Sequence, residues 1–224
     1  MDPWKVTRST GTATTFLNRD IPASPRPEVW IHQLSQPALV LGSAQKMDIV
    51  NLDVADELGV EVCQRRSGGG IVGVQPDDLW VDILLPRTSP LWDNDVGRSM
   101  DWVGQSWARA LQDVFADTQA HVHTGRLLNR ELGKIVCFAG LGPGEVTCFD
   151  HKVIGISQRR TRTHARFQCL AKYRWSPEMV QPLLRQPDAI PWPSLRIGLP
   201  PFVDANPTIM AELESRFLAQ IPLV

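Results

Sequence analysis

Runs and alternations of apolar residues divide the chain into elements. Residues 29–34 and 38–41 are apolar runs split by Ser35-Gln36-Pro37, and each predicts a strand. Residues 53–58 predict a short helix stopped by Gly59. Residues 60–64 predict a strand that feeds Arg65-Arg66-Ser67-Gly68-Gly69-Gly70, and residues 79–85 a further strand ended by Pro86. The clearest helix covers 95–115, where Val96, Met100, Val103, Trp107, Leu111 and Val114 recur at steps of three and four and form one apolar stripe. Strand patterns follow at 135–138, 145–149, 152–157 and 166–173, with Asp150-His151 as a hairpin tip between the second and third. Ser176-Pro177-Glu178 and Asn206-Pro207 each carry helix-start chemistry, the second ahead of an apolar face of Ile209, Met210, Leu213, Phe217 and Leu218. Residues 1–28, rich in Thr, Pro and Arg, read as a loosely packed lead-in, which leaves 29–224 as a single domain. Strands outnumber helices without alternating strictly with them. The expected class is α+β, a mixed β-sheet with packed helices.

Composition narrows the function. The 224 residues carry 23 Lys+Arg and 24 Asp+Glu, a net charge of −1. That balance argues against a general nucleic-acid or anionic-membrane coat. No window approaches the roughly 20 apolar residues of a membrane span, and the N-terminus lacks a signal-type apolar core. The four cysteines, Cys63, Cys137, Cys148 and Cys169, form no CxxC pair. A zinc ribbon, a redox dithiol and a disulfide framework are therefore unsupported, no metal site is expected, and a reducing cytoplasm is the expected compartment.

Two segments carry candidate chemistry. In Gln64-Arg65-Arg66-Ser67-Gly68-Gly69-Gly70-Ile71-Val72, three glycines after a strand let backbone approach a ligand, and arginines beside them suit a phosphate or carboxylate. The pattern is neither GxxxxGK[ST] nor GxGxxG. In His151-Lys152-Val153-Ile154-Gly155-Ile156-Ser157-Gln158-Arg159-Arg160, a lysine stands in an apolar strand, where burial of an ammonium calls for an anionic partner. A lysine that snorkels to water is the alternative. The Arg159–Arg166 run reads by itself as a solvated loop.

Taken together, the two segments resemble the lipoate–protein ligase and octanoyltransferase family, relatives of the biotin–protein ligases. The first family motif is matched at Ser67, Gly68, Gly69, Gly70 and Val72; Arg65 falls on its second arginine and Gln64 replaces its first. The second is matched at Lys152, Gly155, Ser157, Gln158 and Arg159. Leu39-Val40-Leu41-Gly42-Ser43-Ala44-Gln45 looks like the family's substrate-wall strand, so the resemblance covers about 30–175. It implies a biotin/lipoate protein ligase (class II synthetase-like) catalytic domain that attaches a lipoyl or octanoyl group to the lysine of a lipoyl carrier domain, as in 2-oxoacid dehydrogenases or the glycine cleavage H protein. Lys152 would lie beside the acyl carboxylate or carbonyl. Arg65, Ser67, the glycines of 68–70, Gly155 and Ser157 would bind donor or ATP.

Two routes follow from the resemblance. The expected enzyme is a ligase, which would use ATP and Mg2+ to make an acyl-adenylate from lipoate or octanoate, because the basic cluster suits a triphosphate; the transferase is the alternative. Ligases carry Asn-Asp eight residues before the lysine, where this chain has Gly144-Glu145. An octanoyltransferase would take the acyl group from acyl carrier protein onto a cysteine about fifteen residues before the lysine, and Cys137-Phe138 stands there. The family histidine after the glycine strand is replaced by Val74 or Gln75, and the His-Gly of the transferase branch by Cys169-Leu170. A non-catalytic relative that binds an acyl ligand or carrier domain is the third reading, and an accessory subunit is a possible partner.

Overall fold

A computed structural model describes residues 4–22, 26–115, 118–200 and 208–223. Among the described residues ten strands form two sheets. The larger runs β1-β2-β6-β10-β9-β8-β7 and the smaller β4-β3-β5. In chain order the strands are β1 Lys5–Gly11, β2 Glu28–Leu34, β3 Ala38–Leu41, β4 Glu61–Gln64, β5 Val72–Val74, β6 Leu79–Pro86, β7 Ala120–Val122, β8 Val146–Cys148, β9 His151–Arg160 and β10 His164–Ala171. The helices are α1 Ala13–Asn18, α2 Leu52–Glu57, α3 Asp101–Val114, α4 Arg130–Gly133 and α5 Ile209–Gln220. β1 pairs parallel with β2 and β3 parallel with β4, while the remaining pairs are antiparallel, so both sheets are mixed.

Side-chain alternation along β6 explains the layering, since successive residues of a strand face opposite sides. Leu79, Val81, Ile83 and Leu85 join Val103, Trp107 and Leu111 of α3 and Leu213 and Phe217 of α5 in one core, with Trp107 stacked on Phe217 at 3.9 Å. Trp80 turns to the opposite face, into a second core with Phe16 of α1, Leu39 and Leu41 of β3 and Val74 of β5. The large sheet is thus covered by helices on one side and by the small sheet on the other, and all eight residues of β6 are buried. Asp82, on the Trp80 side, is fully buried and paired with Arg166 and with His32 at 3.0 Å, as burial of a carboxylate requires. Among the described residues no helix is long and apolar enough to cross a membrane.

Several expectations are corrected. The supposed lead-in supplies an edge strand and α1, whose N-terminus is capped by the Thr12 hydroxyl accepting from the Thr15 N–H at 3.3 Å and whose Ala13, Phe16 and Leu17 are buried. The helix expected from residue 95 begins at Asp101, because Asp93 and Asp95 bind the nearby backbone N–H groups of Asp95 and Arg98 and hold 93–98 in turns. Val96 is consequently exposed. Residues 135–138, expected as a strand, make only a bridge between Val136 and Ile71 before a 3-10 turn at Cys137–Ala139. After Ser176 only 3-10 turns form, at Pro177–Met179 and Gln181–Leu183, since Pro182 cannot continue an α-helix. The β8–β9 hairpin turns on Phe149-Asp150, both with positive φ (53° and 60°), one residue earlier than expected. Asn206-Pro207 lies outside the described residues, but the apolar face assigned to the helix after it is that of α5.

Candidate active site

The glycine loop leaves β4 and returns as β5, and its position is fixed by backbone contacts with no room for side chains. A methyl group on Gly42, at the end of β3, would lie 1.8 Å from the Gly69 carbonyl oxygen. Gly69 has φ +99°, and a Cβ there would meet the Arg65 guanidinium at 2.7 Å and the Cys137 Sγ at 3.2 Å. The loop then binds the segment before Cys137: Gly70 N–H donates to the Gly133 carbonyl at 2.9 Å, Ile71 N–H to that of Ile135 at 2.8 Å, and Cys137 N–H to that of Ile71 at 2.9 Å. Residues more than sixty positions apart are so brought to one place. β9 passes beside this turn, and Gly155 is where a Cβ would strike the Phe138 ring at 2.8 Å. Ser67 and Ser157 meet through their hydroxyls at 3.3 Å.

These elements wall a mostly apolar cleft. Leu17, Val40, Val74, Trp80, Phe138 and Leu170 supply apolar surface, and Arg65, Cys137, Glu145, Gly155 and Ser157 also border it. Val40, Val74, Phe138 and Leu170 stand at or beside positions the family resemblance singled out, whereas Leu17 and Trp80 were read only as lead-in and strand. Nothing distinguishes these two in sequence from other buried strand and helix positions.

Arg65 is buried and directed inward. Its guanidinium donates to the Gly68 carbonyl (3.2 and 2.9 Å) and to that of Gly70 (3.0 Å), so it shapes the loop rather than reaching out of it. Gln64, in place of the first family arginine, donates through Nε2 to the carbonyls of Gly42, Ser43 and Gln45. Arg65→Ala is expected to lower the stability of the ligand-free protein by about 1.5–3 kcal/mol, the usual loss for hydrogen bonds from a charged group, as read by urea denaturation. An unchanged urea midpoint would contradict this structural role. The arginines from the end of β9 onward scatter: Arg160 donates to the carbonyls of Asp93 and Asn94, Arg166 pairs with Asp82, and Arg162 is exposed.

Lys152, the buried lysine of β9, has its anionic partner within the chain. Its Nζ lies 2.6 Å from Glu145 Oε2 and donates to the carbonyls of Gly140 at 2.8 Å and Cys137 at 3.3 Å. It also stands 4.9 Å from the centre of the Phe138 ring. Glu145 is held in turn by the N–H groups of Gly142 (2.6 Å) and Ile156 (3.2 Å). Before Glu145, Gly144 has φ +78°, and a Cβ there would meet Met100 at 2.6 Å, so the asparagine of ligases does not fit this backbone. Among the described residues no group of three or more His, Cys, Asp or Glu could hold a metal.

The thiols differ sharply. Burial pushes Cys63 up to about 12, helped by the Glu61 charge, and Cys148 up to about 12, while burial also raises Cys169. Only Cys137 is half-exposed, and it borders the cleft. At pH 8 a thiol of pKa about 12 is thiolate in only about one part in 10⁴, so iodoacetamide should label Cys137 first in the native protein. Peptide mapping that found Cys63 or Cys148 labelled ahead of Cys137 would contradict this ordering.

Residues 12–190 match the model of the lipoyl protein ligase A/B catalytic domain. The chain belongs to that family. Solved structures with the lipoyl protein ligase A/B fold align over nearly its whole length. Lipoate-protein ligase A bound with ATP is 15% identical, covering 98% of this chain and 84% of that chain with a TM-score of 0.73. The bi-partite lipoate protein ligase of Thermoplasma acidophilum, described with its E2 lipoyl domain, is 14% identical, covering 97% and 82% with a TM-score of 0.73. The biotin protein ligase of Aquifex aeolicus, in complex with biotin and ATP, is 10% identical, covering 97% and 68% with a TM-score of 0.51. Curated protein sequences give no match. The expected α+β family fold, with its mixed sheet and packed helices, is therefore the fold observed.

Proposed function

We propose that this member of the lipoyl protein ligase A/B family is an acyltransferase that carries an octanoyl or lipoyl group through a thioester on Cys137 to the lysine amine of a lipoyl carrier domain. The observation that carries this reading is the position of Cys137: a half-exposed thiol bordering an apolar cleft, against Gly69, in a chain whose other thiols are buried and held protonated.

The chemistry balances without nucleotide. The Cys137 thiolate attacks the carbonyl carbon of a donor thioester; the new C–S bond forms as the old one breaks, and the donor leaves as a thiolate. The carrier-domain amine then attacks the Cys137 thioester and forms the amide, losing one proton to solvent as the C–S bond breaks and the Cys137 thiolate is released. Splitting the transfer this way replaces one encounter of two large carriers with two successive ones at the same cleft. The apolar walls take the acyl chain, and exposed Gly68 and Gly69 leave the cleft mouth open to the donor's pantetheine-like arm. Lys152 holds the Cys137 and Gly140 carbonyls and so orients the nucleophile's turn.

The residues expected to serve ATP and Mg2+ fit that role poorly. Arg65 is engaged by loop carbonyls, and Glu145, at the position of the ligase aspartate, is engaged by Lys152 and two backbone N–H groups. The ligase reading retains exposed Arg66 beside the glycines as a phosphate contact. Mass spectrometry of a lipoyl domain separates the readings. The transferase gives octanoylated domain from an octanoyl thioester without ATP, whereas modification only from free acid plus ATP would replace it with the ligase.

A further inference from the structure

Glu145, not Lys152, faces the acyl cleft. Glu145 and Cys137 both line the cleft, whereas Lys152, 5% exposed, is outside the lining among the described residues. The ammonium pairs with Glu145 Oε2 at 2.6 Å and donates to two carbonyls at 2.8 and 3.3 Å, and both Glu145 oxygens accept from backbone N–H groups. The lysine's need for an anion is therefore met inside the chain.

We infer that Glu145 is a specificity-determining residue that selects neutral acyl donors, thioesters or amides, and excludes free fatty acids. This rests on the transferase reading above and names its donor class. A free carboxylate entering the cleft would face Glu145 at short range, with one ammonium to share between two anions in a water-poor site. One of the two would have to take up a proton, or Glu145 would have to leave its three donors. A thioester carbonyl carries no charge and meets no such opposition. Charge stays matched throughout the acyl step: the ion pair is neutral, the Cys137 thiolate brings one negative charge, the tetrahedral adduct holds one, and the departing thiolate takes one away. A carboxylate beside the thiolate would raise that to two.

Titration calorimetry with sodium octanoate and octanamide tests the inference, because the two ligands share a chain and differ in head-group charge. The wild-type protein should bind octanamide about 10-fold or more tighter than octanoate. Glu145→Gln, which keeps shape and removes the charge, should reverse the order in favour of octanoate. Octanoate binding to wild type as tightly as octanamide would overturn the inference without recourse to any variant. A folded Glu145→Gln protein that keeps the wild-type order would overturn the assignment to Glu145. Acylation of Cys137 by octanoyl-pantetheine, followed in parallel, separates the two proposals. Adduct together with tight octanoate binding defeats donor selection alone, and rejection of octanoate with no adduct defeats the cysteine route alone.

Discussion

Replacing Lys152 by alanine is expected to lower folding stability by about 3–5 kcal/mol, because it leaves the Glu145 carboxylate buried without its cation. The Cys137 and Gly140 carbonyls lose a donor at the same time, so the turn that presents the thiol loosens. Acyl transfer should therefore fall on the order of 10²-fold or more even where the variant is folded, since small misplacements of a reacting group carry losses of that size. Lys152→Arg should not restore transfer, because the broad guanidinium cannot take the place of a compact ammonium among three acceptors. The double variant Lys152→Met with Glu145→Gln separates the two consequences. Removing both charges should recover much of the stability while transfer stays low. Urea denaturation and lipoyl-domain mass spectrometry on the same samples read both quantities. Near-wild-type stability of Lys152→Ala would contradict a buried ion pair at this place.

The second large effect is at Cys137. Cys137→Ala should reduce transfer from a thioester donor on the order of 10⁴-fold or more, the scale expected when a covalent nucleophile is removed. Cys137→Ser should be nearly as inactive, since a hydroxyl is far less ionised than a thiol at neutral pH. Neither should change the fold appreciably, because the side chain is half-exposed and donates no side-chain hydrogen bond to the loop contacts described above. Steady-state rates with the circular dichroism of each variant check both parts. Retention of wild-type turnover by Cys137→Ala would remove the covalent route.

How much of this was legible in sequence varies with the physical origin of each feature. β2 and β6 were plain because both faces of each are largely buried, which forces continuous apolar runs. β1 was not, because it is an exposed edge strand of polar residues paired on one side only, and it leaves no period in the sequence. The Cys137 turn was read as a strand since Ile135-Val136-Cys137-Phe138 is apolar throughout; its course is set by the bridge to Ile71, a contact that no local pattern encodes. The need for glycine at 69 and 70 was legible, but the reason at Gly69 is its approach to Arg65 and Cys137 and its positive φ, and at Gly70 the backbone of Ile135 and Val136, whereas a Cβ on Gly68 would meet nothing. Arg65 was read as an anion contact and instead holds carbonyls of its own loop. Lys152 was the sharpest case. Its presence in an apolar strand correctly demanded an anion, which was assigned to a ligand and is supplied by Glu145, seven residues earlier and across the β8–β9 hairpin.

The central claim, a covalent acyl group on Cys137, is open to one direct measurement. The wild-type protein is incubated with octanoyl-pantetheine in the absence of nucleotide, quenched in acid, and examined as intact protein and as peptides. The account predicts one octanoyl group on the peptide containing Cys137, lost on treatment with hydroxylamine and absent from Cys137→Ser. Unmodified Cys137 under these conditions, with acylation of a lipoyl domain appearing only when ATP and free acid are supplied, would contradict it.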